Sequence, residues 1–155
     1  MKFKAYGMRY TGCSVKESEI RCIPLDSSLF QEYVKLYNAG FHEMRKALGI
    51  APYDVLGDQR QIPGKGEGVF VLLNGEGDII GSVACRGNEI DDLFVSRQYR
   101  GRGYGKALLL WAMNHIRLHS REPITLHVAE WNGAAVKLYI SAGFEIAKTE
   151  TLGQD

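Results

Sequence analysis

Apolar residues recur along this chain with two periods, and the switches between them mark out its elements. Glu19-Ile20-Arg21-Cys22-Ile23 alternates polar and apolar before Pro24, the pattern of a strand ended by its proline. Phe30, Val34, Tyr37, Phe41, Met44 and Leu48 then fall at helical spacing, behind a capping box at Ser28 to Gln31 and ahead of Gly49. Asn38-Ala39-Gly40 is expected to bend or break this helix, because glycine weakens a helix interior by roughly 1 kcal/mol. From Ala51 to Gly68 no period is clear, and the composition is that of a loop or short helix.

The second half is better punctuated. Val69 to Leu73 and Ile79 to Cys85 read as strands joined by the hairpin signal Asn74-Gly75-Glu76-Gly77, and a third strand runs from Glu89 to Val95. A helix opens near Tyr104, with Leu108, Leu109, Ala112, Met113 and Ile116 on one stripe. Pro123 introduces a strand to Ala129, a helix follows from Asn132 to Ala142 until Gly143, and 144–149 alternates as a last strand. Phe3, Tyr6, Met8 and Tyr10 suggest that residues 1–18 add a strand or cover apolar surface. This order predicts one α/β or α+β layered domain over 1–155, with its core at about 19–150.

Composition narrows the classes. At 155 residues and 45% apolar the chain can bury a sizeable core, and a net charge of +1 gives no broad basic face for nucleic acid or an anionic membrane. Three cysteines without a C-x-x-C pair argue against a disulfide framework or structural zinc and fit a reducing cytoplasm. Apolar runs such as Ala107 to Met113 are too short to span a bilayer.

The local exception is Arg100-Gly101-Arg102-Gly103-Tyr104-Gly105-Lys106, between an apolar strand and an apolar helix. Glycines here let backbone N–H groups turn toward an anion at a helix start, and three cationic side chains add charge. A dinucleotide fingerprint would need glycine at 106, and a Walker loop would need glycine at 100 and Ser or Thr at 107. Neither fits. Arg100, Gly103 and Gly105 do match R/Q-x-x-G-x-G/A, and the segment resembles the acyl-CoA pyrophosphate loop of the GCN5-related N-acetyltransferases (GNAT). Further on, Leu126 to Asn132, Leu138-Tyr139 and Ala142-Gly143-Phe144 resemble that family's second signature, in the right order.

The resemblance implies a mixed, largely antiparallel sheet flanked by helices, whose central strands, here Glu89 to Val95 and Ile124 to Ala129, splay apart around a pantetheine arm. It implies acetyl-CoA as cosubstrate, no metal, and direct transfer to a primary amine, small and cationic, in a ternary complex. Donor binding then falls to Leu93, Phe94, Val95, Arg100, Gly101, Arg102, Gly103, Tyr104, Gly105, Lys106 and Asn132, with backbone N–H groups of Phe94 and Val95 polarising the thioester. Tyr139 matches the acid that protonates the leaving thiolate, although Ala135, Leu138, Tyr139 and Ala142 also form a core stripe. Asn132 is equally a helix N-cap. For the base, His127 and Glu89 both occupy family positions, while a water chain or a relay through Asp91 or Asp92 stays open. Glu89, Asp91 and Asp92 crowd one strand and call for a cationic partner. A catalytically weak acyl-CoA-binding module, or an enzyme acting on protein N-termini or lysines, remains an alternative. A homodimer is also left open.

Overall fold

The computed structural model describes residues 1–54 and 66–153. Its strands are β1 (Lys2–Tyr10), β2 (Ile23–Pro24), β3 (Val69–Leu73), β4 (Ile79–Arg86), β5 (Glu89–Val95), β6 (Ile124–Ala129) and β7 (Glu145–Gly153), with helices α1 (Phe30–Leu48), α2 (Tyr104–Arg117) and α3 (Gly133–Ser141). The strands form one sheet in the order β2-β3-β4-β5-β6-β1-β7. Every pairing is antiparallel except β5 with β6.

Two cores sandwich this sheet. On one face Leu108, Leu109, Ala112, Met113 and Ile116 of α2 pack with Ile90, Leu126, Val128 and Tyr139. On the other, Tyr33 of α1 packs with Val69, Val71, Ile79 and Phe94. The contact between β4 and α2 is close because Gly81 carries no side chain. A Cβ there would lie 2.7 Å from Leu108 Cδ1 and 2.7 Å from the Phe94 carbonyl oxygen.

Several expectations need correction. The strand expected at 19–23 shrinks to Ile23–Pro24, since Ile20 and Cys22 pack on the core without joining a ladder. Pro24 is accommodated because β2 is an edge strand. Asp26, not Ser28, caps the start of the α1 region: its carboxylate accepts from the Ser28 N–H at 2.8 Å, ahead of a 3-10 turn over Ser27–Leu29. Glu32 reaches across to the Ile79 N–H at 2.8 Å. α1 runs unbroken through Asn38-Ala39-Gly40, held against the sheet by tertiary contact that outweighs the local propensity. The last strand extends to Gly153. Most of the expected loop at 51–68 lies outside the described residues.

Candidate active site

The loop after β5 builds the glycine-rich start of α2. Ser96, buried, donates its N–H to the Ile80 carbonyl at 2.7 Å, and a 3-10 turn over Arg97–Tyr99 follows. Arg100 is extended, with Nε donating to the Val95 carbonyl at 3.3 Å. Gly101 and Gly103 then take φ of 77° and 87°, left-handed values that glycine adopts without strain. Gly103 is the N-cap of α2 and no side chain caps the helix. The first helical bond runs from the Ala107 N–H to the Gly103 carbonyl, so the N–H groups of Tyr104, Gly105 and Lys106 have no helical acceptor. Nothing stands within 4 Å of a Cβ built on Gly101 or Gly103. Arg100, Arg102 and Lys106 are exposed around this space, with the Arg102 guanidinium 5.6 Å from the Tyr99 ring centroid.

Beyond this loop the sheet opens. β5 and β6 share only the pair Glu89↔Thr125, beside the Thr125 N–H to Asn88 carbonyl bond at 2.9 Å. A cavity of about 270 Å³ occupies the gap, reached by Leu93 of β5, Leu126 to Ala129 of β6, and Asn132, Ala135 and Tyr139 of the α3 region. On the opposite face it meets Tyr37, Phe41 and Met44 of α1. A bulge shapes the β5 side: Ala84 pairs with Asp91 and Ser82 with Phe94, so Asp92 and Leu93 together face Val83. Because the Ser96 N–H points to β4, strand alternation turns the Val95 N–H toward the gap and that of Phe94 toward β4. The Phe94 side chain joins an aromatic cluster with Tyr33, Tyr37 and Phe41.

The structure brings the two base candidates together. His127 Nδ1 lies 2.9 Å from Glu89 Oε1. A carboxylate only accepts, so Nδ1 is the donor, and in the neutral ring the lone pair falls on Nε2. Gly7 stands opposite His127 on β1 and leaves the ring uncovered from that strand. Tyr139 is 9% exposed, and burial, with the nearby Asp91 charge, pushes its hydroxyl up to about 12. That hydroxyl has no hydrogen-bond partner among the described residues, although Tyr139 lines the cavity. Asn132 lines it too while its side chain caps α3, accepting from the Ala135 N–H at 3.2 Å.

The acidic crowd on β5 finds its cation in Arg86, a residue the sequence reading passed over. Arg86 Nε is 3.8 Å from Asp91 Oδ2, and Nη2 is 3.8 Å from Asp92 Oδ2. Asp92 also accepts from the Tyr37 hydroxyl at 3.1 Å. Burial and the Asp91 charge still push the Asp92 carboxyl up to about 6. The cavity wall on α1 was likewise hidden, because its stripe has the spacing of an ordinary core-facing helix. Among the described residues no group of three or more His, Cys, Asp or Glu is gathered for a metal ion, and no helix is long and apolar enough to cross a membrane.

A crevice through a mixed sheet, with an uncapped glycine-led helix start at one end, defines an acyltransferase-like architecture. Residues 30–144 match the family described as acetyltransferase (GNAT) family, and the chain belongs to that family. It is 32% identical over 93 residues to the mycothiol acetyltransferase of Corynebacterium glutamicum, a match covering 57% of this chain and 32% of the relative. It is 38% identical over 76 residues to the N-acetylaspartate synthetase of Xenopus tropicalis, covering 45% and 28%. The chain thus spans about a third of the length of these curated relatives. Among solved structures it resembles a GNAT-family protein of Novosphingobium aromaticivorans (TM-score 0.71, 19% identity, 97% of this chain and 63% of that one). A GNAT-family acetyltransferase of Colwellia psychrerythraea is also similar (TM-score 0.69, 16% identity, 97% and 55%). These likenesses establish the expected fold with its mixed sheet.

Proposed function

We propose that the chain transfers an acetyl group from acetyl-CoA to a primary amine, directly and within a ternary complex. The observation that carries this reading is the cavity through the β5–β6 gap, which places His127, Asn132 and Tyr139 on one space. The donor's pyrophosphate fits the α2 N-terminus, where Gly101 and Gly103 leave the backbone open and Arg100, Arg102 and Lys106 supply charge. Tyr104 and Gly105 open α2 beside that end, and Leu93 and Asn132 line the gap that would take the pantetheine arm. Acetyl-CoA supplies the activated thioester. Val95 offers the backbone N–H for its carbonyl, a contact of the kind worth roughly 10² to 10³ in rate.

In this reading His127 Nε2 takes the proton of the attacking amine, and Glu89 orients the ring and balances the charge it gains. As the C–N bond forms and the C–S bond breaks, the Tyr139 hydroxyl gives its proton to the departing sulfur. A hydroxyl pushed up to about 12 stays protonated throughout the neutral range, as an acid must. Neither Cys22 nor Cys85 is poised as a covalent nucleophile, since burial pushes both thiols up to about 12. Cys13, Cys22 and Cys85 are unpaired in the fold.

Tyr139→Phe tests the assignment because it deletes one hydroxyl and keeps the ring packed at 6.1 Å from Phe144. Turnover is expected to fall by roughly 10² or more, with CoA affinity and melting temperature little changed. A fully active variant would remove Tyr139 as the acid and leave proton delivery to water.

A further inference from the structure

The α1 half of the cavity has a composition of its own. Tyr37, Phe41, Met44 and Leu48 follow one face of α1, Ile50 continues the wall just beyond it, and Phe3 of β1 closes the other side. Facing this apolar wall are Asp91 and Asp92 of β5 and His127 of β6. Asp92 is the most enclosed of the three, with its side chain 19% exposed. Its backbone sits at φ 48°, a left-handed value rare outside glycine and the mark of a position held by its surroundings. Tyr139, about nine-tenths buried and without a partner for its hydroxyl among the described residues, reaches the same cavity from the other face of the sheet.

The charges are balanced. Asp91 and Asp92 face Arg86, and Arg45 also lines the cavity while its Nε donates to the Pro52 carbonyl at 2.8 Å. Two carboxylates offset by two guanidiniums offer a polycation no surplus of negative charge. A single ammonium can still be received by Asp92, and an apolar body attached to it can be buried along α1.

We propose that this half of the cavity is the acceptor subsite for a monoamine carried on an apolar or aromatic body, with the Asp92 carboxylate receiving its ammonium end, which releases one proton to solvent before the free amine attacks and His127 Nε2 takes the second. This rests on the acetyl-transfer reading above. It narrows the acceptor from amines in general to one class and disfavours polyamines and aminoglycosides.

The experiment uses the full chain with n-propyl-, n-butyl-, n-pentyl- and n-hexylamine, 2-phenylethylamine and spermidine. Two readouts are taken: kcat/KM with acetyl-CoA, and the melting shift each amine causes in protein already saturated with CoA. Each added methylene is expected to raise kcat/KM about fourfold, and 2-phenylethylamine to exceed spermidine by about tenfold or more. Asp92→Asn, which suits a left-handed backbone, is expected to raise KM for these amines by about tenfold or more while the CoA melting shift stays as in the parent. A flat alkyl series, a preference for spermidine, or an unchanged KM in Asp92→Asn overturns the subsite and leaves acetyl transfer standing. Melting shifts that grow with chain length but without turnover leave an amine-binding pocket and overturn both its acceptor role and the transferase reading. No response to any amine overturns the subsite, and if CoA also fails to stabilise the fold, the transferase reading falls with it.

Discussion

At Asp92 stability and function pull in opposite directions. In the unfolded chain an aspartate releases its proton near 3.8, whereas in the fold Asp92 holds it until about 6. Between those values the folded state binds a proton that the unfolded state has lost, so stability falls as pH rises through the window and levels off above it. The penalty at neutral pH is on the order of 3 kcal/mol. Asp92→Asn is therefore expected to unfold at higher urea than the parent at pH 7 and at nearly the same urea at pH 3.5. Equal midpoints at both pH values would show that burial does not burden this carboxylate. Crowding of Glu89, Asp91 and Asp92 was visible in the sequence, as was the need for a cation. That Arg86 meets two of them and His127 the third was not, because those partners approach from neighbouring strands.

The elements around the site depend on close backbone approach, and glycines mark where. At Gly81 a methyl group would press on both a Leu108 side-chain carbon and the Phe94 carbonyl oxygen, and the latter cannot move without opening the β4–β5 ladder. Gly81→Ala is expected to destabilise the fold by about 1–3 kcal/mol, read as a lower urea midpoint with an unchanged slope. Gly103 is different in kind. Its Cβ would stand in open space, but φ of 87° strains any branched residue and the space is the one assigned to the donor's phosphates. Gly103→Val is expected to abolish the melting shift caused by CoA, and unchanged CoA binding would make this loop structural only. Three hairpin strands and α2 were legible to within a residue or two, since period and turn chemistry are local. The Asn38-Ala39-Gly40 break was expected and did not occur: α1 is continuous from Phe30 to Leu48, with Tyr33 and Leu48 buried toward its two ends and Gly40 close against the Phe94 side chain.

For the whole molecule, a ligand that bridges the α2 N-terminus and the β5–β6 gap should tie the two halves of the sheet together. CoA or acetyl-CoA at ~100 times its dissociation constant is expected to add about 2.7 kcal/mol, seen as a raised melting temperature. ATP and NAD at equal concentration can use the anion-facing loop but have no pantetheine arm for the gap, and much smaller shifts are expected. Equal shifts from ATP would overturn the donor assignment. β1 belongs to this scale as well. It lies between β6 and β7, so residues 2–10 complete the sheet beside His127 and contribute Phe3 and Ala5 to the cavity.

By itself the sequence determined most of the elements and the glycine-rich loop at the start of α2, because both are written in contiguous residues: helical and strand periods, turn glycines, and Arg100 to Lys106. It also placed the chain in its family through two ordered motifs. Only the tertiary structure decided that β1 inserts between β6 and β7, that β5 and β6 part after a single pair, and that Glu89 and His127 meet at 2.9 Å. It likewise decided that one face of α1 serves as a cavity wall rather than solely as core. The reason is physical. A local period fixes which face of an element is apolar, but what that face meets is set by packing between segments far apart in the chain, and an unfilled gap between two strands leaves no trace in the pattern of either.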